Sequence, residues 1–183
     1  MLETERLFLR ELKESDTDAI YAMRSDKDVM RFIREPQNRA ETESWIQLVS
    51  SRWEIDKLGF CGVFEKKSGK FLGWCGVWRL AETKELEIGY AIVKQFWNRG
   101  YATEAAEIFL QYAFENIKPD KITAVAEPEN TPSRRVMEKL GMNFVKIAEF
   151  YDRELVQYAI TEKEFLAQRR EERCVEGKSP DFS

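Results

Sequence analysis

IVKQFWNRGYATEAA, residues Ile92 to Ala106, decides how this 183-residue chain is read. A β-rich run ends, a polar turn containing Gly100 follows, and a strong helix begins at once. The first N–H groups of a helix lack partners within it and carry, through the macrodipole, roughly half a positive charge, so this strand–turn–helix start favours phosphate oxygens. Gly100 would let the backbone approach a ligand with no Cβ in the way. The stretch lacks both the G-x-x-x-x-G-K-[ST] of a nucleoside-triphosphate loop and the G-x-G-x-x-G of a dinucleotide fold. Taken alone, it also fits an ordinary strand-to-helix connection that binds nothing.

Working outward, Leu86 to Val93 is the strand that enters the turn, and Phe60–Phe64 and Phe71–Trp78 before it are β-rich runs separated by the polar turn Lys66–Gly69. Three consecutive strands predict an antiparallel meander. Beyond the turn come a helix at Ala102–Asn116, a strand at Lys121–Ala126, a helix at Thr131–Leu140 ended by Gly141, and strands at Phe144–Tyr151 and Leu155–Ile160. The crossover from Leu86–Val93 through a helix to Lys121–Ala126 requires those two strands to be parallel. Nearer the start, Arg6–Leu12 reads as a strand, Ser15, Asp16 and Asp18 introduce a helix through Ile20 and Met23, and a helical piece at Lys27–Ile33 is stopped by Pro36. A helix over Glu41–Lys57 buries Trp45, Ile46, Val49 and Trp53 and ends at Gly59. Thr161 and Glu164 form a capping box for a last helix, Glu162–Arg173. No linker divides the chain, so one α/β domain is expected over residues 1–174, with a polar, frayed tail from Val175 to Ser183.

Composition narrows the chemistry. With 43% hydrophobic and 13% aromatic residues the chain can build a proper core. It has no histidine, which removes His-based triads, His metal ligands and imidazole acid–base catalysis. Three cysteines, Cys61, Cys75 and Cys174, share no C-x-x-C spacing, so neither a disulfide framework nor a metal site is expected. Cys61 and Cys75 lie in apolar strands and read as inert small hydrophobes. The charged N-terminus, the lack of an apolar run long enough for a membrane span and a net charge of −4 predict a cytoplasmic protein that binds neither membrane nor nucleic acid.

A second segment, EPENTPSRRVMEKLGM from Glu127 to Met142, places Asn130 just before a helix and Ser133 in its first turn. The pair of segments resembles a known family. WNRGYATEA is similar to the coenzyme A pyrophosphate loop, Q/R-x-x-G-x-G/A, of the GNAT N-acetyltransferases, and N-T-P-S-R-R-V-M-E-K-L-G-M to their N-x-x-S…EK-x-G-F element. The opening T-E-R-L-x-L-R resembles the RimJ/RimL-type subgroup, the ribosomal-protein-alanine N-acetyltransferases. The resemblance implies a mixed, mostly antiparallel sheet with a splayed parallel pair in its middle and helices on both faces. It also implies acetyl-CoA as acyl donor, held by Trp97, Asn98, Arg99, Gly100, Tyr101 and Ala102 at the pyrophosphate positions, by main-chain groups of Ile92, and by Asn130. Trp97 stands where Gln or Arg is common, and Asn98 where Gly is common.

In the resembling fold the two parallel strands diverge, and their unpaired main-chain groups can bind the pantetheine amides as a neighbouring strand would. An N–H from the first of them, assigned to Tyr90, would stabilise the oxyanion, a contact typically worth ~2.7–4 kcal/mol. The acceptor amine must be neutral to attack: at pH 7 this costs about 1 kcal/mol for an α-amine and about 4.6 for a lysine. Without histidine the base is a carboxylate, acting directly or through water. Glu87 is the first candidate, with a solvated edge position as its bland alternative, since Glu87 and Gly89 share one face and Ile88 and Tyr90 the other. Glu149 and Asp152 are secondary candidates. Ser133 either serves the departing sulfur, as the resemblance implies, or satisfies helix N–H groups beside Asn130. Lys94, Arg99, Arg134 and Arg135 either meet cofactor phosphates or form a solvated surface. The expectation is direct acetyl transfer to a primary amine, on a protein N-terminus or a small molecule, with no acetyl-enzyme. A non-catalytic acyl-CoA-binding module is the alternative. Exposed strands or the last helix offer surfaces for a homodimer.

Overall fold

The computed structural model describes residues 1–175, so the expected tail lies outside the described residues except for Val175. In chain order the elements are β1 (Leu2–Glu3), β2 (Leu7–Glu11), α1 (Thr17–Arg24), α2 (Lys27–Met30), α3 (Arg39–Asp56), β3 (Gly59–Glu65), β4 (Phe71–Arg79), β5 (Leu86–Ile92), α4 (Tyr101–Asn116), β6 (Lys121–Ala126), α5 (Thr131–Lys139), β7 (Asn143–Phe150), β8 (Arg153–Thr161) and α6 (Glu162–Val175). The strands form a single sheet in the order β1-β2-β3-β4-β5-β6-β8-β7. Every neighbouring pair is antiparallel except β5–β6, the pair joined through α4.

Several boundaries differ from the sequence expectation for local reasons. α2 ends at Met30, because the N–H groups of Ile33 and Arg34 both turn back to the Met30 carbonyl and close the turn before Pro36. α3 starts earlier than expected, at Arg39, since Asn38 and Glu41 form a reciprocal capping box. It ends when Lys57 turns left-handed at φ 56°, and Gly59 already belongs to β3. Asp16 spends its carboxylate on Arg10 and on the Lys13 N–H, closing the 3-10 turn Glu14–Asp16, and does not cap α1. The last hairpin turns through Tyr151 and Asp152, both left-handed at φ 54° and 57°, so Tyr151 is a turn residue and not the end of a strand.

The apolar periodicity decides which face each element buries. Leu86, Ile88 and Ile92 of β5 join the main core around Ala105, Phe109, Leu110 and Ala113 of α4. Ala91 points to the opposite face, into a cluster with Trp74 and with Met23 and Val29 of α1 and α2. By alternation Glu87 and Gly89 share the Ala91 face, whereas Tyr90 packs against the α4 side. Helices thus cover both faces, and β5 presents the carboxylate to one and the tyrosine to the other.

Candidate active site

The parallel pairing of β5 with β6 covers only Leu86↔Ile122 and Glu87↔Thr123, after which the strands separate. The backbone phase of β5 follows from two bonds flanking its ladder with β4: Val93 N–H to the Leu72 carbonyl at 2.8 Å and Leu80 N–H to the Glu85 carbonyl at 3.0 Å. Alternation then turns the main-chain groups of Glu87, Gly89 and Ala91 toward β4 and those of Leu86, Ile88, Tyr90 and Ile92 toward β6. The Thr123 hydroxyl, donating to the Leu86 carbonyl at 3.1 Å, agrees with this phase. Past Glu87 the β6-facing groups therefore border an open gap. One is already taken: Trp97 Nε1 donates to the Ile92 carbonyl at 2.6 Å. The indole thus takes the Ile92 carbonyl and leaves the Ile92 N–H as the group that can face the gap, while Trp97 itself stays 41% exposed where a Gln or Arg was the common type.

Beyond β5 the chain passes through a 3-10 turn, Lys94–Phe96, to the left-handed residues Asn98 (φ 60°) and Gly100 (φ 79°). Asparagine tolerates that conformation better than other residues with a Cβ, which explains its place where the resembling family has glycine. No side chain caps α4, and Glu104 N–H makes the bond to the Gly100 carbonyl at 3.0 Å, so the preceding N–H groups are left to face outward. A Cβ on Gly100 would meet only Arg6, at 3.4 Å. Uncapped donors behind an open glycine fit a diphosphate, and the open β5 edge fits an amide-bearing arm. Tyr101 contributes only its backbone: its ring is buried under Arg6 and its hydroxyl donates to Glu65 at 2.9 Å. Lys94 is engaged by Asp28 at 2.5 Å, and the Arg99 guanidinium lies over Phe96.

The loop is held from the N-terminus. Glu104 accepts from the Thr4 hydroxyl, the Arg6 backbone N–H and Arg6 Nε, and Arg6 Nη1 donates to the Arg99 carbonyl at 3.0 Å. This is the physical content of the opening T-E-R: Thr4 and Arg6 clamp the first turn of α4. Arg6→Ala is expected to raise the KM for acetyl-CoA roughly three- to tenfold, the scale of one lost charge-assisted bond. Steady-state kinetics should show kcat little changed, and an unchanged KM would remove the positioning role.

A cavity of about 1000 Å³ opens beside the gap, and Glu87, Tyr90, Asn130 and Ser133 all line it. The loop from Trp97 to Ala102, Glu149 and Asp152 do not. The loop at Gly100 and the two secondary carboxylates are therefore not part of the cavity lining, although Asp152 sits between two residues that are, Tyr151 and Arg153. Asn130 is the cap of α5, accepting from Ser133 N–H at 3.3 Å. The Ser133 hydroxyl is free of that duty and lies 3.2 Å from the Tyr90 hydroxyl, which also donates to the Ser133 carbonyl at 3.1 Å. Burial pushes the Tyr90 phenol well up, so it remains protonated. Glu87 accepts a hydrogen bond from the hydroxyl of Tyr151, at the hairpin tip. Desolvation raises the Glu87 carboxyl to about 7, against the opposing pull of the Tyr151 bond. Burial and the Glu87 charge push Tyr151 up in turn.

Tyr151 was not legible as a site residue, nor was Arg24, which also lines the cavity. Sequence offered one faint sign for Tyr151, a non-glycine pair in a two-residue turn. Cys61 and Cys75 are buried, with the Cys61 thiol pushed up to about 12, and neither lines the cavity. Among the described residues no group of Cys, Asp and Glu is arranged to hold a metal, and no helix is long and apolar enough to cross a membrane.

A splayed parallel pair, an uncapped helix start at its end and a cavity with a raised carboxyl beside it define an acyl-CoA-dependent transferase. Comparison with known proteins carries the identification further. The acetyltransferase (GNAT) domain family matches residues 6–143, and the chain belongs to that family. It is 32% identical over 141 residues, 77% of this chain and 81% of the relative, to the uncharacterized N-acetyltransferase YnaD of Bacillus subtilis. It is 26% identical over 193 residues to the FsC-acetyl coenzyme A-N(2)-transacetylase of Aspergillus fumigatus, covering 92% of this chain and 79% of the relative. Among solved structures, the GNAT-family acetyltransferase from Bacillus anthracis is similar with a TM-score of 0.76 and 29% identity, over 88% of this chain and 98% of that one. The protein is therefore an acetyl-CoA-dependent acetyltransferase of mixed α/β GNAT fold.

Proposed function

We propose that this enzyme passes the acetyl group of acetyl-CoA directly to a primary amine within a ternary complex, with Glu87 as the base. The observation that carries the reading is Glu87 itself: a carboxylate on the cavity wall, held by Tyr151 and raised to about 7, where a base can both accept and release a proton near neutrality. The bound acetyl-CoA supplies an activated thioester carbon. The N–H groups ahead of Glu104 and the loop from Trp97 to Ala102 hold its diphosphate. The β6-facing backbone of Ile88 and Tyr90 and the Ile92 N–H, together with Asn130, hold its arm, and the Tyr90 N–H donates to the acetyl oxygen. Glu87 takes the amine proton as the N–C bond forms and the C–S bond breaks. The Tyr90–Ser133 hydroxyl pair returns a proton to the departing sulfur.

The opening T-E-R-L-x-L-R supports a RimJ/RimL-type assignment, with a protein N-terminal α-amine as acceptor, in a single domain over residues 1–174 working in the cytoplasm. An α-amine is the easier acceptor, since its deprotonation at pH 7 costs about 1 kcal/mol. The test is calorimetry with CoA followed by acetyl transfer to a broad amine and peptide panel. Binding without turnover of any acceptor would leave a non-catalytic acyl-CoA module, and no heat with CoA would remove the cofactor assignment.

The pH profile follows from the Glu87 shift. Below about 7 the carboxyl is protonated and cannot accept the amine proton, so kcat should rise with pH through that value. The Tyr151 bond favours the carboxylate, so Tyr151→Phe should move the midpoint upward. A profile that Tyr151→Phe leaves in place would detach Tyr151 from the base.

A further inference from the structure

Two residues that line the same cavity each hold a buried N–H donor without an acceptor, although Arg24 also donates from Nη2 to Gln37. Arg24, 2% exposed, has no hydrogen-bond partner for Nε, and Trp74, 7% exposed, has none for Nε1. The two are neighbours through one ring: the Arg24 guanidinium lies 4.0 Å over Trp45, whose ring centroid is 5.9 Å from that of Trp74. Buried donors are normally paired, so two orphans in one cavity wall mark the place of an absent acceptor.

Around them cationic side chains outnumber carboxylates. Lys27, Arg31 and Arg34 line the cavity, and no ion pair or hydrogen bond is found for their side chains among the described residues. Arg34 lies near enough to Arg24 and to Tyr151 for its charge to bear on both. The facing carboxylates offset the group only in part. Glu127 is engaged by Arg153 at 2.6 Å, Glu87 is held by Tyr151, and Glu41 is committed to the Asn38 N–H in the α3 capping box, which leaves Glu35, exposed like Lys27, Arg31 and Arg34, to offset one of their charges. Burial and the charge of Arg34 bring Arg24 down to about 10, which leaves it cationic at neutral pH. These cations come from α1, α2 and the segment before α3, and the cavity they line does not include the loop from Trp97 to Ala102.

We propose that the acceptor amine carries an anionic group, a carboxylate or a phosphate, bound by Arg24, Arg34 and Trp74 Nε1 while the amine faces Glu87. The proposal deepens the acetyl-transfer reading and rests on it for the position of the amine. Trp45, Phe60 and Trp78 on the same wall suit an acceptor with an apolar or aromatic body between its two charged ends.

The test uses paired acceptors that differ only in the anion: phenylalanine against phenylalanine amide, phosphoethanolamine against ethanolamine, and a Ser-Asp-initiated peptide against its Ser-Asn counterpart. The full chain is assayed by thiol release. At least one anionic member should exceed its neutral partner in kcat/KM by roughly ten- to hundredfold, the scale of a hydrogen bond to a charged group. Which pair shows the largest ratio assigns the source to a free amino acid, a phosphate or an acidic peptide. Arg34→Gln, an exposed change that leaves the fold intact, and Trp74→Phe should each pull that ratio toward one through the acceptor KM. Ratios near one in the wild type, or an Arg34→Gln enzyme whose raised KM is for acetyl-CoA, would overturn the proposal. If CoA binds but no amine is acetylated, the transfer reading fails by itself. Calorimetry of the same pairs on the CoA-loaded protein then decides the anion site: heat only with anionic members, diminished in Arg34→Gln, supports it, and equal or absent heat overturns it.

Discussion

Glu87→Gln is expected to lower kcat by roughly 10²–10⁴-fold while leaving the KM for acetyl-CoA within a factor of about two, the range that positioned base catalysis contributes. The substitution is close to isosteric, and the Gln carbonyl can still accept from Tyr151, so the loss reports the proton and not the packing. Stability supplies an independent check with its own sign. The Glu87 carboxyl stands at about 7 in the folded chain, against an ordinary value of 4.5. The folded state therefore holds its proton more tightly, and the stability this confers is present below about 4.5 and lost as pH rises through 7. Gln has no proton to lose, so the melting temperature of the variant relative to wild type should be higher at pH 8 than at pH 5. A catalytically dead variant that is stabilised at high pH is the expected result. Unchanged turnover would remove Glu87 from the mechanism.

Gly100→Val is expected to raise the dissociation constant for CoA tenfold or more. At φ 79° a residue with a Cβ bears about 1–2 kcal/mol of strain, and a β-branched side chain would stand in front of the uncapped α4 N–H groups. The strain alone is controlled by Gly69→Val. Gly69, in the β3–β4 hairpin, has φ 68° and nothing within 4 Å of its Cβ position. Both variants should melt a few degrees lower, and only the first should lose CoA affinity by calorimetry. Equal loss in both, or none in either, would detach the diphosphate from Gly100.

The loop at Gly100 was legible because its chemistry is local: strand end, left-handed glycine and helix start occupy consecutive residues. So was the parallel β5–β6 pair, since a crossover helix leaves the chain no antiparallel return. The capping pair Asn130 and Ser133 was half-read. Sequence placed both at the start of α5, yet only the fold shows Asn130 alone as the cap, with the Ser133 hydroxyl beside Tyr90. The place of Glu87 on β5 follows from strand alternation, but its partner Tyr151 does not. Tyr151 lies 64 residues away and reaches Glu87 from the tip of a hairpin. Its place depends on a two-residue turn and on the register of β7 with β8, neither of which leaves a periodic trace.

The amino-acid sequence by itself determined the order of elements, the helix start that can meet phosphate, the absence of imidazole chemistry and a carboxylate on β5. Those features are written in neighbouring residues, where propensity, capping and alternation act. Tertiary structure alone decided that the β5–β6 pairing stops at Glu87, that Thr4 and Arg6 brace the loop through Glu104, and that the buried donors of Arg24 and Trp74 share one wall. The reason is physical: desolvation, orphaned donors and strand divergence arise from surroundings assembled by distant segments, and no local rule encodes what a side chain will be buried against.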